Sequence, residues 1–410
     1  MDLATTVQDW VEPRAEEMAA LLAELVSMDT ENPPGRGLGR CAARLRDVMD
    51  ELGFTPEIIP LAPHDQLEEP CVVRGQVGDG SKVVYFHGHF DVVPAQSRSQ
   101  FTAERRNGRM YGRGTADMKG GIVSMLYGAA AARDLGLLGD GKIVFHLVCD
   151  EETGSDASSG YLQKSGLLDT SALAMVTAEP TSGAIWHASR GALTMRVELK
   201  GTEAHVGQAH LGVNAFAHMV TIAAPLNDLA RELLEKRTSF PMEDDDVKGS
   251  MMVVGGVSGS GVNFNAVPGS AWFSIDRRFN PEEDLDEEIA RLTDAINTSA
   301  AKAGANVSIE ILQRQPSGST EENHPMGQSL AATVAQVEGV APTFEMCPGT
   351  LETRWYAQLG VPAFGYGAGR LDVSHGPGEY IDETAMRRCA SVYALFAARA
   401  FATTEIRRQP

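Results

Sequence analysis

Four ligand-type residues or clusters stand where this chain turns from an apolar run into a loop or helix. His89 and Asp91 follow the run 82–86, Asp117 precedes a helix from Met118, Glu151 and Glu152 follow 142–148, and Glu179 follows 173–177. The densest is Asp150-Glu151-Glu152-Thr153-Gly154. Carboxylates packed at the end of a buried strand repel one another, and solvation or a cation must offset that repulsion. A solvated acidic loop accounts for the cluster taken alone. It does not account for His, Asp, Glu-Glu and Glu recurring at one kind of position. In an open α/β sheet the carboxyl ends of the strands share an edge, and ligands bind in the crevice there. Oxygen-rich ligation with one or two imidazoles suits zinc, cobalt or manganese. His89, Asp117, Glu152, Glu179 and one more histidine supply donors for two divalent ions with a shared carboxylate. Two close ions can polarise a carbonyl and generate a hydroxide nucleophile.

The elements that must position these residues follow from periodicity. Residues 71–77, 82–86, 142–148 and 173–177 read as strands, and 13–29, 38–52, 118–132 and 157–165 as helices between them. That alternation predicts an α/β layer with a mostly parallel sheet flanked by helices. Near Ser189 the texture changes. Residues 193–199 (LTMRVEL) alternate as a half-exposed strand does, 214–236 and 281–303 read as helices, and 251–257, 271–276 and 306–312 as strands. The order β-α-β-β-α-β resembles a ferredoxin-like layer. The first texture returns after Gln315, with helices at 325–336 and 384–401 and an apolar run at 361–366. The expected organisation is a catalytic, metal-binding domain of residues 1–189 and 314–410 interrupted by an α+β lid or dimerisation domain of residues 190–313.

The 410 residues, with 43% hydrophobic and 22% charged content, fit a globular chain of two domains. A formal net charge of -20 argues against nucleic acid and anionic membrane as partners. The five cysteines are scattered without a C-x-x-C pair, which favours a reducing, cytoplasmic compartment over a disulfide framework. Neither a signal peptide nor a membrane span is expected from the sequence.

At the ligand-type residues the chain resembles a known family. His89-Phe90-Asp91-Val92-Val93-Pro94 matches H-x-D-x-V-P, Gly112 to Gly121 match G-R-G-x-x-D-M-K-G-G, and Asp150 to Gly154 match D-E-E-x-G. Glu179-Pro180 matches the next acid, and Ser374-His375-Gly376-Pro377-Gly378-Glu379 the closing H-x-x-x-E. Together these resemble the dinuclear zinc family of acetylornithine deacetylase, succinyl-diaminopimelate desuccinylase, aminoacylase-1 and carboxypeptidase G. The resemblance implies that Asp117 bridges two ions, with His89 and Glu179 on one and Glu152 and His375 on the other. It implies Glu151 as general base for the bridging water, Asp91 as the group that orients His89, and a cis peptide after Asp117. His205 would reach across a homodimer, formed through the inserted domain, to the scissile carbonyl oxygen. Asn265 and Arg278 match substrate-gripping residues, with Arg277 adjacent. Gly367 and Gly369 stand where backbone N–H groups can meet a substrate carboxylate, and Arg354 stands where it can assist them or pair with a neighbouring acid. The loop after His205, Val206-Gly207-Gln208-Ala209, departs from the family pattern. The implied activity is hydrolysis of the amide of an N-acyl amino acid or a similar small carboxylate-bearing amide. A metalloexopeptidase, either dipeptidase or carboxypeptidase, is the alternative. Nothing supports a P-loop, a dinucleotide fold or a G-x-S-x-G elbow.

Overall fold

The computed structural model describes residues 2–403. The chain divides into two units, one of Met1–His187, Ser319–Glu345 and Leu351–Pro410, the other of Ala188–Gly318 and Met346–Thr350. The short return of Met346–Thr350 to the second unit has no counterpart in the sequence pattern.

The first unit is built on a twisted sheet. Its strands run Thr55–Pro60, Cys71–Val77, Gly141–Val148, Lys82–His89, Ala174–Thr177, Ala363–Gly365, Ile185–Ser189 and Gly318–Ser319, with Phe344–Cys347 paired to Ile185–Ser189. The centre is parallel: Lys82–His89 pairs in parallel with Gly141–Val148 and with Ala174–Thr177, which pairs in parallel with Ala363–Gly365. Cys71–Val77 and Thr55–Pro60 add antiparallel to one side. Side chains of Lys82–His89 alternate between two cores, as the period of a strand requires. Val84 and Phe86 enter the larger core, with Phe145, Met125 and Leu395. Val83 and Tyr85 enter the smaller, with Met175, Trp355 and Tyr356. Truncating a ring such as Phe145, which is fully buried, to alanine costs about 3–5 kcal/mol.

The helix Gly120–Asp134 is buried along almost its whole length. Its small residues let it lie against Glu383–Ala402: a Cβ at Gly128 would stand 2.6 Å from the Ala390 carbonyl oxygen. Two sequence expectations are refined here, and one strand is added. The helix expected from Met118 starts at Gly120, because Thr115–Lys119 form an irregular turn with non-helical dihedrals at Asp117 and Met118. The N-terminal helix is Ala15–Val26, and a separate helix, Leu3–Val11, precedes it. Thr55–Pro60, which carries two prolines, pairs only with Cys71–Val77 and so forms the sheet edge, where proline is tolerated.

The second unit is a four-stranded antiparallel sheet in the order Met251–Ser260, Ser270–Phe279, Gly191–Lys200, Asn306–Gln315. Helices Ala215–Leu233 and Leu285–Ala303 join its strands in the β-α-β-β-α-β order of a ferredoxin-like layer. Leu193, Met195, Val197 and Leu199 point into one core, while Thr194, Arg196 and Glu198 point away from it. Asn214 and Asp284 cap the two helices through side-chain oxygens that accept backbone N–H groups of the first turn.

Candidate metal centre

Strand ends of the first unit, with the 115–119 turn and the loop at His375, bring the ligand-type residues into two adjoining groups. His89, Asp117 and Glu179 offer one donor atom each within 4.8 Å of one another, and so do Asp117, Glu152 and His375. Asp117 belongs to both. Its Oδ1 lies 3.1 Å from His89 Nε2 and its Oδ2 3.2 Å from His375 Nε2. Glu179 Oε1 is 3.8 Å from His89 Nε2, and Glu152 Oε2 is 3.4 Å from His375 Nε2. The peptide between Asp117 and Met118 is cis.

Electrostatics show the strain of gathering these acids. Burial, reinforced by neighbouring carboxylates, pushes Glu151 and Glu179 well above the ordinary range, and burial raises Glu152 as well. Burial alone would also raise Asp117, but the imidazoles of His375 and His89 hold it well below. In return, Asp117 and Glu152 lift His375 to about 10. Burial opposes the charged form of His89, yet Asp117 and Asp91 raise it well above its usual value. Glu179 Oε1 is buried without a hydrogen-bond partner among the described residues. An acceptor left bare among mutually repelling carboxylates, with two imidazoles aimed at the shared Asp117, is a donor set that fits divalent cations.

The acidic stretch divides by position. Asp150 is buried and belongs to neither donor group: it accepts the Ala157 N–H at 3.0 Å and a hydrogen bond from Ser158 Oγ, and burial raises it to about 7. Glu152 joins the second group. Glu151 makes no side-chain hydrogen bond or ion pair among the described residues. Asp91 ties the stretch to His89. Its carboxylate accepts the N–H groups of Glu151 and Glu152 at 3.2 and 3.1 Å and the Asn32 Nδ2 amide at 2.9 Å. His89 Nδ1 donates to the Asp91 backbone oxygen at 3.0 Å and lies 3.4 Å from its Oδ1. One side chain therefore sets both an imidazole and the acidic turn.

Two expected substrate contacts take other places. Arg354 is fully buried. Its Nη2 donates to the Gly154 carbonyl at 2.9 Å, and its guanidinium lies 3.5 Å from the buried Glu352. It holds the end of the acidic turn and lies beside a neighbouring acid, the second of the two roles expected for it. The Gly367 N–H is engaged by Thr181 Oγ1 at 3.3 Å. A Cβ at Gly367 would stand 2.3 Å from the Ala178 oxygen, and one at Gly369 2.3 Å from the Ala116 oxygen. These glycines let the 367–369 loop lie against the backbone that carries Glu179 and Asp117.

The remaining expected residues lie in the second unit. His205 is exposed and pairs with Ala266, and the Val206 N–H donates to the Asn265 carbonyl, so His205 and Asn265 are neighbours. Of the two adjacent arginines, Arg277 is fully buried against Glu283 and Glu288. Arg278 is about one-third exposed and, among the described residues, pairs only with Asp276 on its own strand. Sequence reasoning missed Asn32 and the buried cluster in which Glu352 accepts from Ser155 and Ser159 and lies 2.9 Å from His87 Nε2. No spacing marks them. The one sign in the sequence is a cluster of polar residues (Thr30, Glu31, Asn32) ahead of two prolines.

Comparison with known proteins agrees with this geometry. The pattern of Peptidase family M20/M25/M40 matches residues 85–399. A probable succinyl-diaminopimelate desuccinylase of Staphylococcus aureus (strain MSSA476) is 26% identical over 291 residues, 66% of this chain and 69% of that protein. An N-formyl-4-amino-5-aminomethyl-2-methylpyrimidine deformylase of Bacillus subtilis (strain 168) is 24% identical over 409 residues, 92% of each. The fold is shared with an M20 family metallo-carboxypeptidase of Sulfolobus solfataricus, at a TM-score of 0.77 and 19% identity over 94% of this chain and 100% of that one. With the family pattern spanning both units and every ligand-type residue of the site, the chain belongs to peptidase family M20/M25/M40 and is a hydrolase of amide bonds.

Proposed function

We propose that the chain is a dinuclear metal-dependent amidohydrolase that removes the acyl group from an N-acyl amino acid or a similar small carboxylate-bearing amide. The observation that carries this reading is the free Glu151 carboxyl beside two donor groups that share Asp117. His89, Asp117 and Glu179 would hold one ion, and Asp117, Glu152 and His375 the other, with zinc the first choice and cobalt or manganese as alternatives. Bound there, the ions supply Lewis acidity toward the amide carbonyl and toward water at neutral pH. Glu151 takes a proton from the attacking water and hands it to the leaving amine. Asp91 orients His89. Asn265 and Arg278 grip the substrate carboxylate, and His205 of a partner subunit donates to the developing oxyanion.

A homodimer through the second unit is supported by its exposed apolar residues, among them Phe216, Val253, Val257, Val262 and Phe264. A reducing, cytoplasmic setting is supported by the buried, free state of all five cysteines. Among the described residues no helix is long and apolar enough to cross a membrane.

Activity on a panel of N-acyl amino acids is measured before chelation, after it, and after return of zinc, cobalt or manganese. Loss and restoration are expected, and full activity in the metal-free protein overturns the proposal. Glu151→Gln is expected to keep its metal and lose about 10²–10⁴ in kcat. The likeness to a metallo-carboxypeptidase keeps an exopeptidase as second reading. Dipeptides turned over in preference to acyl-amino acids on the same panel would establish it.

A further inference from the structure

Beside the two donor groups lies a buried ion pair with no part in the chemistry above. Arg113 and Glu379 are each 1% exposed, with Arg113 Nη1 2.5 Å from Glu379 Oε2. The other atoms of the pair reach out to the site. Glu379 Oε1 accepts the backbone N–H groups of Ala116 and Asp117 at 3.0 and 3.2 Å. Arg113 Nη2 donates to the His375 backbone oxygen at 3.1 Å and to Gln96 Oε1 at 2.9 Å. Gln96 Nε2 donates to the same His375 oxygen at 2.9 Å. The planar guanidinium can serve Glu379 and His375 together, which a lysine ammonium on a flexible stem does far less well.

The two imidazoles of the site are held very differently. His89 is buried at the end of a strand paired on both sides, and its Nδ1 is anchored by Asp91. The His375 side chain is 51% exposed, and its backbone stands at a φ of 61°, which non-glycine residues rarely adopt. Packing does little to fix His375. Its carbonyl, held by Arg113 and Gln96, is its anchor to the turn that carries Asp117.

We propose that Arg113, with Glu379 and Gln96, is the positioning device of the second donor group. It fixes His375 against Asp117 and so sets how tightly the second of two ions is held, while the His89, Asp117 and Glu179 group keeps its own supports. This rests on the two-ion reading of the site. None of the three residues touches the reacting atoms, and each acts through a ligand.

The test is calorimetric titration of the metal-free, full-length protein with Co²⁺, followed also by visible absorption. Wild type is compared with Arg113→Lys, Gln96→Ala and the reference variant His375→Ala. The reference variant shows which binding event belongs to the second group. Arg113→Lys is expected to weaken that event 10–100-fold, the usual range for residues that orient ligands, and to leave the other within about twofold. Gln96→Ala is expected to weaken the same event by a smaller factor. Gln96 is exposed and uncharged, so this variant decides the matter if Arg113→Lys fails to fold. Equal weakening of both events, or no change in either variant, overturns the proposal. Uptake of fewer than two ions by the wild-type protein overturns the two-ion reading, and the proposal with it.

Discussion

Replacing Asp91 with asparagine tests whether one carboxylate joins the imidazole and the acidic turn. In the native protein its two oxygens receive three donors: the Glu151 N–H on Oδ1, and the Glu152 N–H and Asn32 Nδ2 on Oδ2. An amide has one acceptor, so the substitution forces a choice. With its oxygen toward Asn32 and Glu152, the new NH₂ faces the Glu151 N–H and His89 Nδ1. With its oxygen toward Glu151, the NH₂ faces Glu152 and Asn32. The second arrangement is partly relieved if Asn32 turns over, because Asn32 Oδ1 is buried without a partner among the described residues and can accept. In both cases one backbone amide of the turn loses its acceptor. A hydrogen bond to a charged group contributes about 1.5–3 kcal/mol, so the metal-free protein is expected to lose about that much stability in urea unfolding. The turn that carries Glu151 shifts with the lost bond. A misplacement near 1 Å costs on the order of 10² in rate, and that loss should fall on kcat of the metal-saturated enzyme rather than on KM. The pairing also predicts a sign. Asn32→Asp alone sets two buried carboxylates against each other, so adding Asp91→Asn should stabilise that variant although it destabilises wild type. Wild-type stability and kcat in Asp91→Asn, or strictly additive effects in the double variant, would refute the reasoning.

Gly367→Ala puts a methyl 2.3 Å from the Ala178 oxygen and 2.4 Å from the Glu179 oxygen, and overpacking of that kind costs about 1–3 kcal/mol. Thermal unfolding and metal content should both fall, and unchanged values would show that the backbone near Glu179 yields freely. Arg277→Leu removes the charged donor that Glu283 shares with Lys236 and Glu288 shares with Arg291, and should cost about 1.5–3 kcal/mol in urea unfolding. Arg278→Ala should leave stability within about 0.5 kcal/mol and raise KM, since its only ion pair is partly exposed. A stable Arg277→Leu, or an Arg278→Ala with native KM, would exchange the two roles. Burial, with Arg74 nearby, pushes His146 well below 6.5. The unfolded chain therefore takes up a proton below pH 6.5 that the folded chain refuses, and stability falls as pH drops through that window. His146→Leu in the metal-free protein should remove about 1.4 kcal/mol per pH unit from that slope, and an identical slope would refute the assignment.

What the sequence discloses and what it withholds have a common physical cause. His89, Glu151, Glu152 and Glu179 were legible because a parallel sheet delivers successive strand ends to one edge, and Asp117 because it stands just ahead of a helix. The alternation at 193–199 was legible for a similar reason, since one face of that strand packs on a core and the other does not. The residues whose roles the sequence did not disclose act through single side chains on groups distant in sequence. Asn32 reaches Asp91 across 59 positions, Arg354 reaches Gly154 across 200, and Arg113 reaches His375 across 262. No periodicity links such partners, and a buried arginine and a substrate-binding arginine are the same letter in the same kind of loop. Arg354 shows that ambiguity: the sequence left it either assisting the glycine loop or pairing with a neighbouring acid, and its burial, its Gly154 bond and its approach to Glu352 make it a support of the turn that carries Glu151. The donor atoms of the site can thus be read from residue type and spacing. Their relative placement rests on Asp91 with Asn32, Glu352 with Arg354, and Arg113 with Glu379. Because each pair ties a different segment to the turns at Asp117 and Glu151, loosening one should disturb one donor group or the base without dissolving the rest.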